Sequence, residues 1–216
     1  MGRPSKPLIS REGAVRAALD VIDEHGLDSL SVDLVAQRIG IKAPSLYYHF
    51  KHKSELLSEV ARLILTDVDV PASGEGDWKQ AMLRLSVATR RSVLRHPNAA
   101  PLLLQFFPRY VLLAAYDHWI APCPLPVERH MVLIEGLEKL TFGSALFEAS
   151  CRTRGIEPMP EFDRERLPHL AAAVKAGVSG DEAIFTACVL AFLEGVSAVA
   201  LSAPRRTAAK KKAAGR

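Results

Sequence analysis

Catalytic signatures are missing from this sequence: it has no H-E-x-x-H, no nucleophile elbow and no glycine-rich phosphate loop, and His96, His118, His130 and His169 are scattered. No enzyme activity is therefore expected. Cysteine is sparse. Cys123, Cys151 and Cys188 are odd in number, far apart and in no metal-ligand pattern such as C-x-x-C, so they read as reduced cytosolic thiols, Cys151 and Cys188 as small buried residues of helices. The opening MGRPSKP has no apolar core region, so no secretion signal is expected. One apolar stretch, 183–203, approaches the roughly 20 residues that cross a bilayer. Glu194 near its middle argues against an anchor, because a charged residue at that depth costs about 2.5–3.5 kcal/mol even on the permissive insertion scale. No membrane partner is expected. Strand-type alternation is scarce as well.

What is present is ordinary soluble material, 49% apolar and 24% charged in 216 residues, enough for a sizeable core in one or two domains. Long Ala/Leu/Arg/Glu stretches separated by Gly and Pro predict an all-α chain. The formal charge of +4 conceals a division. Residues 1–53 hold 8 Lys/Arg against 6 Asp/Glu, residues 54–204 hold 14 against 18, and residues 205–216 hold 6 against none. Basic ends on an acidic body suit a protein that meets DNA at one end.

The stretch Ser31 to Leu57, SVDLVAQRIGIKAPSLYYHFKHKSELL, carries the functional signal. Ser31 is placed to cap a helix that runs to Gly40, where a residue must take φ > 0. Pro44 suits the first position of a second helix, about two turns long, so only three or four residues connect the two. A turn that short forbids antiparallel packing and forces a steep crossing. Ala36 is small where the helices cross, and Ile41, Leu46 and Phe50 plug the corner. Ser45, Tyr47, Tyr48 and Lys51 are then left on other faces, the layout of a DNA-reading helix-turn-helix. A plain core helix is the alternative for those apolar residues taken alone.

Residues 10–65 resemble the N-terminal domain of the tetracycline-repressor (TetR) family, through Gly40-Ile41, Leu46-Tyr47, His49-Phe50, Lys53 and Leu56-Leu57. The resemblance implies a three-helix DNA-binding head on a helical ligand-binding and dimerisation domain, and a homodimer that represses transcription from a palindromic double-stranded DNA operator until a small molecule binds. Ser45, Tyr47 and Tyr48 are expected in the major groove, with Pro44 beside them, and the resemblance implies that Tyr47 and Lys53 contact the DNA backbone. Backbone contacts are expected from Ser31, Lys42, Lys51 and Lys53. Asp33 departs from the pattern, since a basic or hydroxyl residue is usual there, and fewer phosphate contacts are expected from the first helix. A cytoplasmic, nucleoid-associated protein follows from this reading.

In chain order, residues 1–9 read as a flexible basic arm, 10–53 as the DNA-binding domain and 54–70 as a connecting helix. A Pro/Gly/Ser loop then leads to the ligand-binding and dimerisation domain at 77–204, and 205–216 is a low-complexity basic tail. Ser10 caps a helix to about His25 whose stripe is Ala14, Ala17, Ala18, Val21 and Ile22. Asp77 caps a helix to Arg95. Long helices are expected from Pro126 to about Arg154 and from Ser179 to Ala203. The second is apolar nearly all round, as a subunit-subunit bundle requires, with Val189 or Val196 facing the partner.

Residues 98–121, broken by Pro101 and Pro108 and rich in aromatics, suit the wall of a cavity. The candidate ligand residues are Leu103, Phe106, Phe107, Arg109, Tyr110, Trp119, Met131 and Phe142, with His96 or His130 as further polar groups. PASGEGDW and Trp78 to Arg91 resemble the tetracycline-repressor subclass, which binds a magnesium–drug chelate. Leu85 and Leu103 fall where that subclass places an amide and a metal-linked histidine. No metal, no other cofactor and a largely apolar effector are therefore expected.

Overall fold

The computed structural model describes residues 10–68 and 78–198, and these residues form ten α-helices and no strand. The basic arm 1–9, the Pro/Gly/Ser loop with its Asp77 cap, the basic tail and the end of the last helix lie outside the described residues.

The head is built from local signals that act as the sequence predicts. α1, Arg11–His25, begins where the Ser10 hydroxyl accepts the Gly13 N–H at 3.0 Å, and it buries Ala14, Val15, Ala17, Ala18, Leu19, Val21 and Ile22. A 3-10 turn at Leu27–Ser29 leads to α2, Val32–Arg38, where the Ser31 hydroxyl accepts the Leu34 N–H at 3.1 Å. Each such cap satisfies an N–H that the helix itself leaves unpaired. Gly40 takes φ 69°, and the chain then turns through an Ile41 N–H to Ala36 carbonyl bond of 3.0 Å.

The second helix, α3 at Ala43–Leu46, is one turn rather than two. Tyr47 flattens to ψ −13° and the chain passes into a turn, although the Phe50 N–H still reaches the Leu46 carbonyl at 3.0 Å. Leu46 and Phe50 are buried in the corner, which is why a single turn suffices to hold it. α4, Lys53–Thr66, follows and buries Leu56, Leu57, Val60, Ala61, Ile64 and Leu65.

The body consists of α5 (Trp78–Arg95), α6 (Leu102–Gln105), α7 (Pro108–Ile120), α8 (Val127–Arg154), α9 (Pro168–Ala176) and α10 (Asp181–Ala198). α5 packs on both α8 and α10. The α8–α10 approach is close at Gly136, where a Cβ would lie 2.0 Å from the Phe192 ring. The buried residues form two clusters. One runs without a break from the head through α4 into Val93, Leu94, Leu102, Leu103, Ala145 and Ala149, so head and lower body share a core. The other joins Met82, Leu133, Phe185, Val189, Leu193 and Val196.

That second cluster corrects one expectation. Val189 and Val196 face their own subunit, because α10 turns its larger apolar residues onto α5 and α8. The outward stripe holds Ile184, Ala187, Cys188, Ala191 and Gly195 instead, so Cys188 is exposed on this chain rather than buried.

The turn at Gly40 supplies a test of the corner. Open space surrounds a Cβ built there, so only the left-handed backbone opposes a side chain. Gly40→Ala is expected to lower stability by about 1–2 kcal/mol, read as a shift in the urea midpoint at unchanged slope. An unshifted midpoint would show that the corner does not depend on that conformation.

Candidate functional site

One end of the head presents a basic and aromatic surface. Tyr48 is 90% exposed and Tyr47 55%, while Leu46 and Phe50 on the other side of the same segment are buried. Lys42, Pro44, Lys51 and Lys53 are exposed beside them, and Ser31 and Ser45 are half-buried. The arrangement places all eight sequence-predicted DNA residues within the α2–α3–α4 region.

Charge is distributed unevenly around this surface. Arg11, Arg16 and Arg38 are paired with Glu55 and Glu59, with Glu12 and with Glu24 respectively. Lys42, Lys51 and Lys53 are in no ion pair among the described residues. The arginines build the head and the lysines are left for an outside anion. Lys53 also has an internal role, since its ammonium donates to the Leu30 carbonyl at 2.5 Å. An ammonium has three donors, so this bond and a phosphate contact are compatible.

Behind the surface, Arg11 holds the corner together. Its guanidinium donates to the His49 carbonyl and to Glu55 at 2.9 Å, and it lies 4.4 Å from the centre of the Phe50 ring. Glu55 accepts the Lys51 N–H at 2.7 Å. That backbone bond first, and Arg11 second, hold the Glu55 carboxyl below the usual range.

The second feature is a cavity of about 350 Å³ at the junction of head and body. Its walls come from four segments. The end of α4 and the residues after it give Leu65, Thr66 and Val68; α5 gives Met82, Leu85, Ser86 and Thr89. α7 contributes Pro108, Leu112, Ala115, Tyr116, Trp119 and Ile120, a stripe at helical spacing. α8 contributes Leu133, Ile134, Leu137, Glu138, Thr141 and Phe142. Among the described residues the only charged side chain in the lining is Glu138, and it is already satisfied. Arg109 Nε donates to its two oxygens at 3.0 and 2.9 Å, and the Tyr116 hydroxyl donates at 2.6 Å. Burial, then this bond to Glu138, keep the Tyr116 phenol protonated well above its ordinary range.

Of the eight residues the sequence proposed for a ligand, the cavity brings together Trp119 and Phe142. The other six sit elsewhere for identifiable reasons. Leu103 is buried in the core shared with the head, and Phe106 packs against that core. The face of α7 that carries Trp119 carries Tyr116, Leu112 and Pro108 in turn, which points Tyr110 outward at 90% exposure. Phe107 is exposed, with the Arg109 guanidinium 5.9 Å from its ring centre. Arg109 is engaged by Glu135 and Glu138, and Met131 is exposed on α8 before the cavity-facing stretch. The two histidines are also committed: His96 Nδ1 meets Asp23 at 2.6 Å and His130 Nε2 meets the Leu125 carbonyl at 2.8 Å. Stepping back from Trp119 by three and four residues would have found Ala115, Tyr116, Leu112 and Pro108. Nothing local in the sequence marks Ser86, Thr89, Glu138 or Thr141.

Comparison with known proteins accords with this geometry. Residues 14–60 match the family described as bacterial regulatory proteins, tetR family. That match spans the head, which is of the TetR type. The chain is 29% identical over 168 residues to the class D tetracycline repressor protein of Escherichia coli, spanning 75% of this chain and 76% of that protein. A possible TetR family transcriptional regulator from Streptomyces coelicolor superposes with a TM-score of 0.74 at 26% identity, covering 88% of this chain and 100% of the other. The TetR family protein ActR of Streptomyces coelicolor, in complex with actinorhodin, gives 0.70 at 23% identity, covering 89% and 98%; at that identity it speaks for the fold. The TetR-type head with its helix-turn-helix is thus joined to a helical domain that holds the cavity. Among the described residues no single helix is long and apolar enough to cross a membrane.

The Glu55 contacts give this TetR-type head a defined acid response. A carboxyl whose folded pKa is depressed stabilises the fold above its unfolded value, here 4.5, and that stability disappears as pH falls through the lower folded value. Glu55→Gln is therefore expected to melt below the parent protein at neutral pH, with the gap closing in acid. A gap that persists undiminished at low pH would show that the carboxylate charge is not what matters.

Proposed function

We propose that this chain is a ligand-responsive repressor that binds a palindromic operator as a homodimer and leaves it when a small, largely apolar molecule fills the cavity. One observation carries the reading: the helix that starts at Lys53, beside the reading surface, ends in the cavity wall at Leu65 and Thr66. A ligand that favours one placement of α4 thereby favours one placement of the head. Release requires that the ligand bind more tightly to the placement that mismatches the roughly 34 Å repeat of the major groove. The actinorhodin complex of ActR supports a small-molecule effector for a protein of this fold.

On the DNA, Ser45, Tyr47 and Tyr48 read base edges, and Ser31, Lys42, Lys51 and Lys53 hold phosphates, with Pro44 setting the start of the reading helix. Selection from a random duplex pool is expected to return an inverted repeat. On that site, Lys53→Ala should weaken binding to all sequences alike and flatten the slope of log affinity against log salt by about one unit. A loss confined to particular base pairs would move Lys53 from backbone to base readout, and recovery of no preferred duplex would refute operator binding.

A second copy of the chain fits the apolar surface that this one leaves open. Along α10, Ile184, Ala187, Cys188, Ala191 and Gly195 are exposed at spacings of three and four, small enough for another helix to approach closely. α9 buries none of its residues, and Ile156, Met159, Leu167, Leu170 and Val174 around it are exposed. Obligate dimers typically bury more than about 2,000 Å². Ala191→Arg should yield folded monomers in sedimentation, because the position lies outside the subunit's own core. A stable dimer would place the interface elsewhere.

A further inference from the structure

Two hydroxyls in the cavity wall are left over by the packing of the described residues. Ser86 is 5% exposed and Thr141 4%, yet neither side chain has a hydrogen-bond partner among the described residues. Neither oxygen is fully enclosed, whereas Asp23 Oδ1 is the one enclosed and unpaired side-chain oxygen among the described residues. Since both residues line the cavity, the cavity is where they are reached. A nearly buried hydroxyl that finds no partner is destabilising, and a ligand oxygen or N–H placed there removes that cost. Thr89 widens the same polar strip on α5.

Charge in the wall points the same way. The Glu138 carboxylate is neutralised by Arg109 and its lone pairs are taken by three donors, while Glu135 on the same arginine is also held by Lys139. Neither a cation nor an anion entering the cavity finds an unpaired counter-charge among the described residues. The Thr66 and Tyr116 hydroxyls already donate within the chain, and the remaining lining is Leu, Ile, Val, Met, Ala, Pro, Trp and Phe. As to size, an apolar cavity of roughly 150 Å³ is enough for one benzene ring, so about 350 Å³ accommodates two to three fused rings.

We propose that the effector is an uncharged oxygenated ring compound, with hydroxyl or carbonyl groups that bond to Ser86 and Thr141 and a ring body against the apolar wall. This rests on the cavity being the effector site. The class is narrower than apolar: it demands oxygen at defined positions and excludes carboxylates and ammonium groups.

A matched set of probes on one skeleton tests it: 2-(hydroxymethyl)anthraquinone, anthraquinone-2-carboxylate and 2-(aminomethyl)anthraquinone, each titrated calorimetrically into the full-length protein and into its operator complex. The neutral probe is expected to bind and release operator, and each charged probe to bind at least about tenfold more weakly, since a charge buried without a partner loses its hydration uncompensated. The Ser86→Ala, Thr141→Val double variant, its folding checked by melting temperature, should lose about tenfold for the neutral probe, as expected for two lost hydrogen bonds. A charged probe that binds as tightly as the neutral one, or a folded double variant of undiminished affinity, would overturn the proposed class. Ala115→Trp, which fills the cavity, should abolish probe binding. Binding that survives it, or silence from all three probes, would instead overturn the cavity as the effector site and the class with it.

Discussion

The structure depends on the buried column of α4. Leu56, Val60, Ala61 and Ile64 are almost fully enclosed, and the core they belong to continues from α1 below into α5, α6 and α8 above. Because protein interiors are packed as densely as organic crystals, such a column moves as a piece rather than deforming residue by residue. Both of its ends are also tied by hydrogen bonds. At the start, Lys53 holds the Leu30 carbonyl; at the end, the Ser92 hydroxyl donates to the Ile64 carbonyl at 2.6 Å and Arg95 takes the Asp67 carbonyl. Those carbonyls are among the groups a helix C-terminus leaves unpaired, so α5 completes α4 rather than merely touching it.

The treatment of charge divides the molecule in the same way. In the body, buried ions are compensated in place: Arg90, 3% exposed, pairs with Glu148 and bonds to Ser144 at 2.9 Å, and Arg109 pairs with Glu138. Such pairs add little net stability, because desolvation offsets most of the attraction, but removing one partner leaves a stranded ion. In the head the arginines are spent on carboxylates and the lysines are not. Positive charge free of carboxylate partners therefore concentrates on the face that holds Tyr47 and Tyr48.

What the sequence made legible follows from range. Signals decided within four residues came through: the Ser10 and Ser31 caps, the turn at Gly40, the extents of α1 and α8, and the burial of Leu46 and Phe50. Signals that need the register between distant helices did not. α10 is apolar on every side, so composition could not say whether Val189 or Ala191 faces outward; packing on α5 and α8 decided it. The eight ligand candidates were chosen for type, and type does not fix which face of α7 looks inward. Glu138 reads as one more surface acid on a charged helix until Arg109 and Tyr116 are brought to it across 29 and 22 residues.

The cavity wall is also the least regular part of the body. α7 begins at Pro108 after a one-turn α6, and it breaks within itself at Leu112, where φ is −131° and ψ is 32°. A break of this kind interrupts the backbone bonds that stiffen a helix, so the two halves of α7 can adjust separately. Leu112 lines the cavity, and α7 packs directly on α4. Whatever occupies the space between Leu112 and Thr141 therefore pushes on a hinged wall whose other side is the connecting helix. The rigid element and the compliant one are adjacent, and on the proposed reading that adjacency is what turns a small change in cavity contents into a displacement of the head.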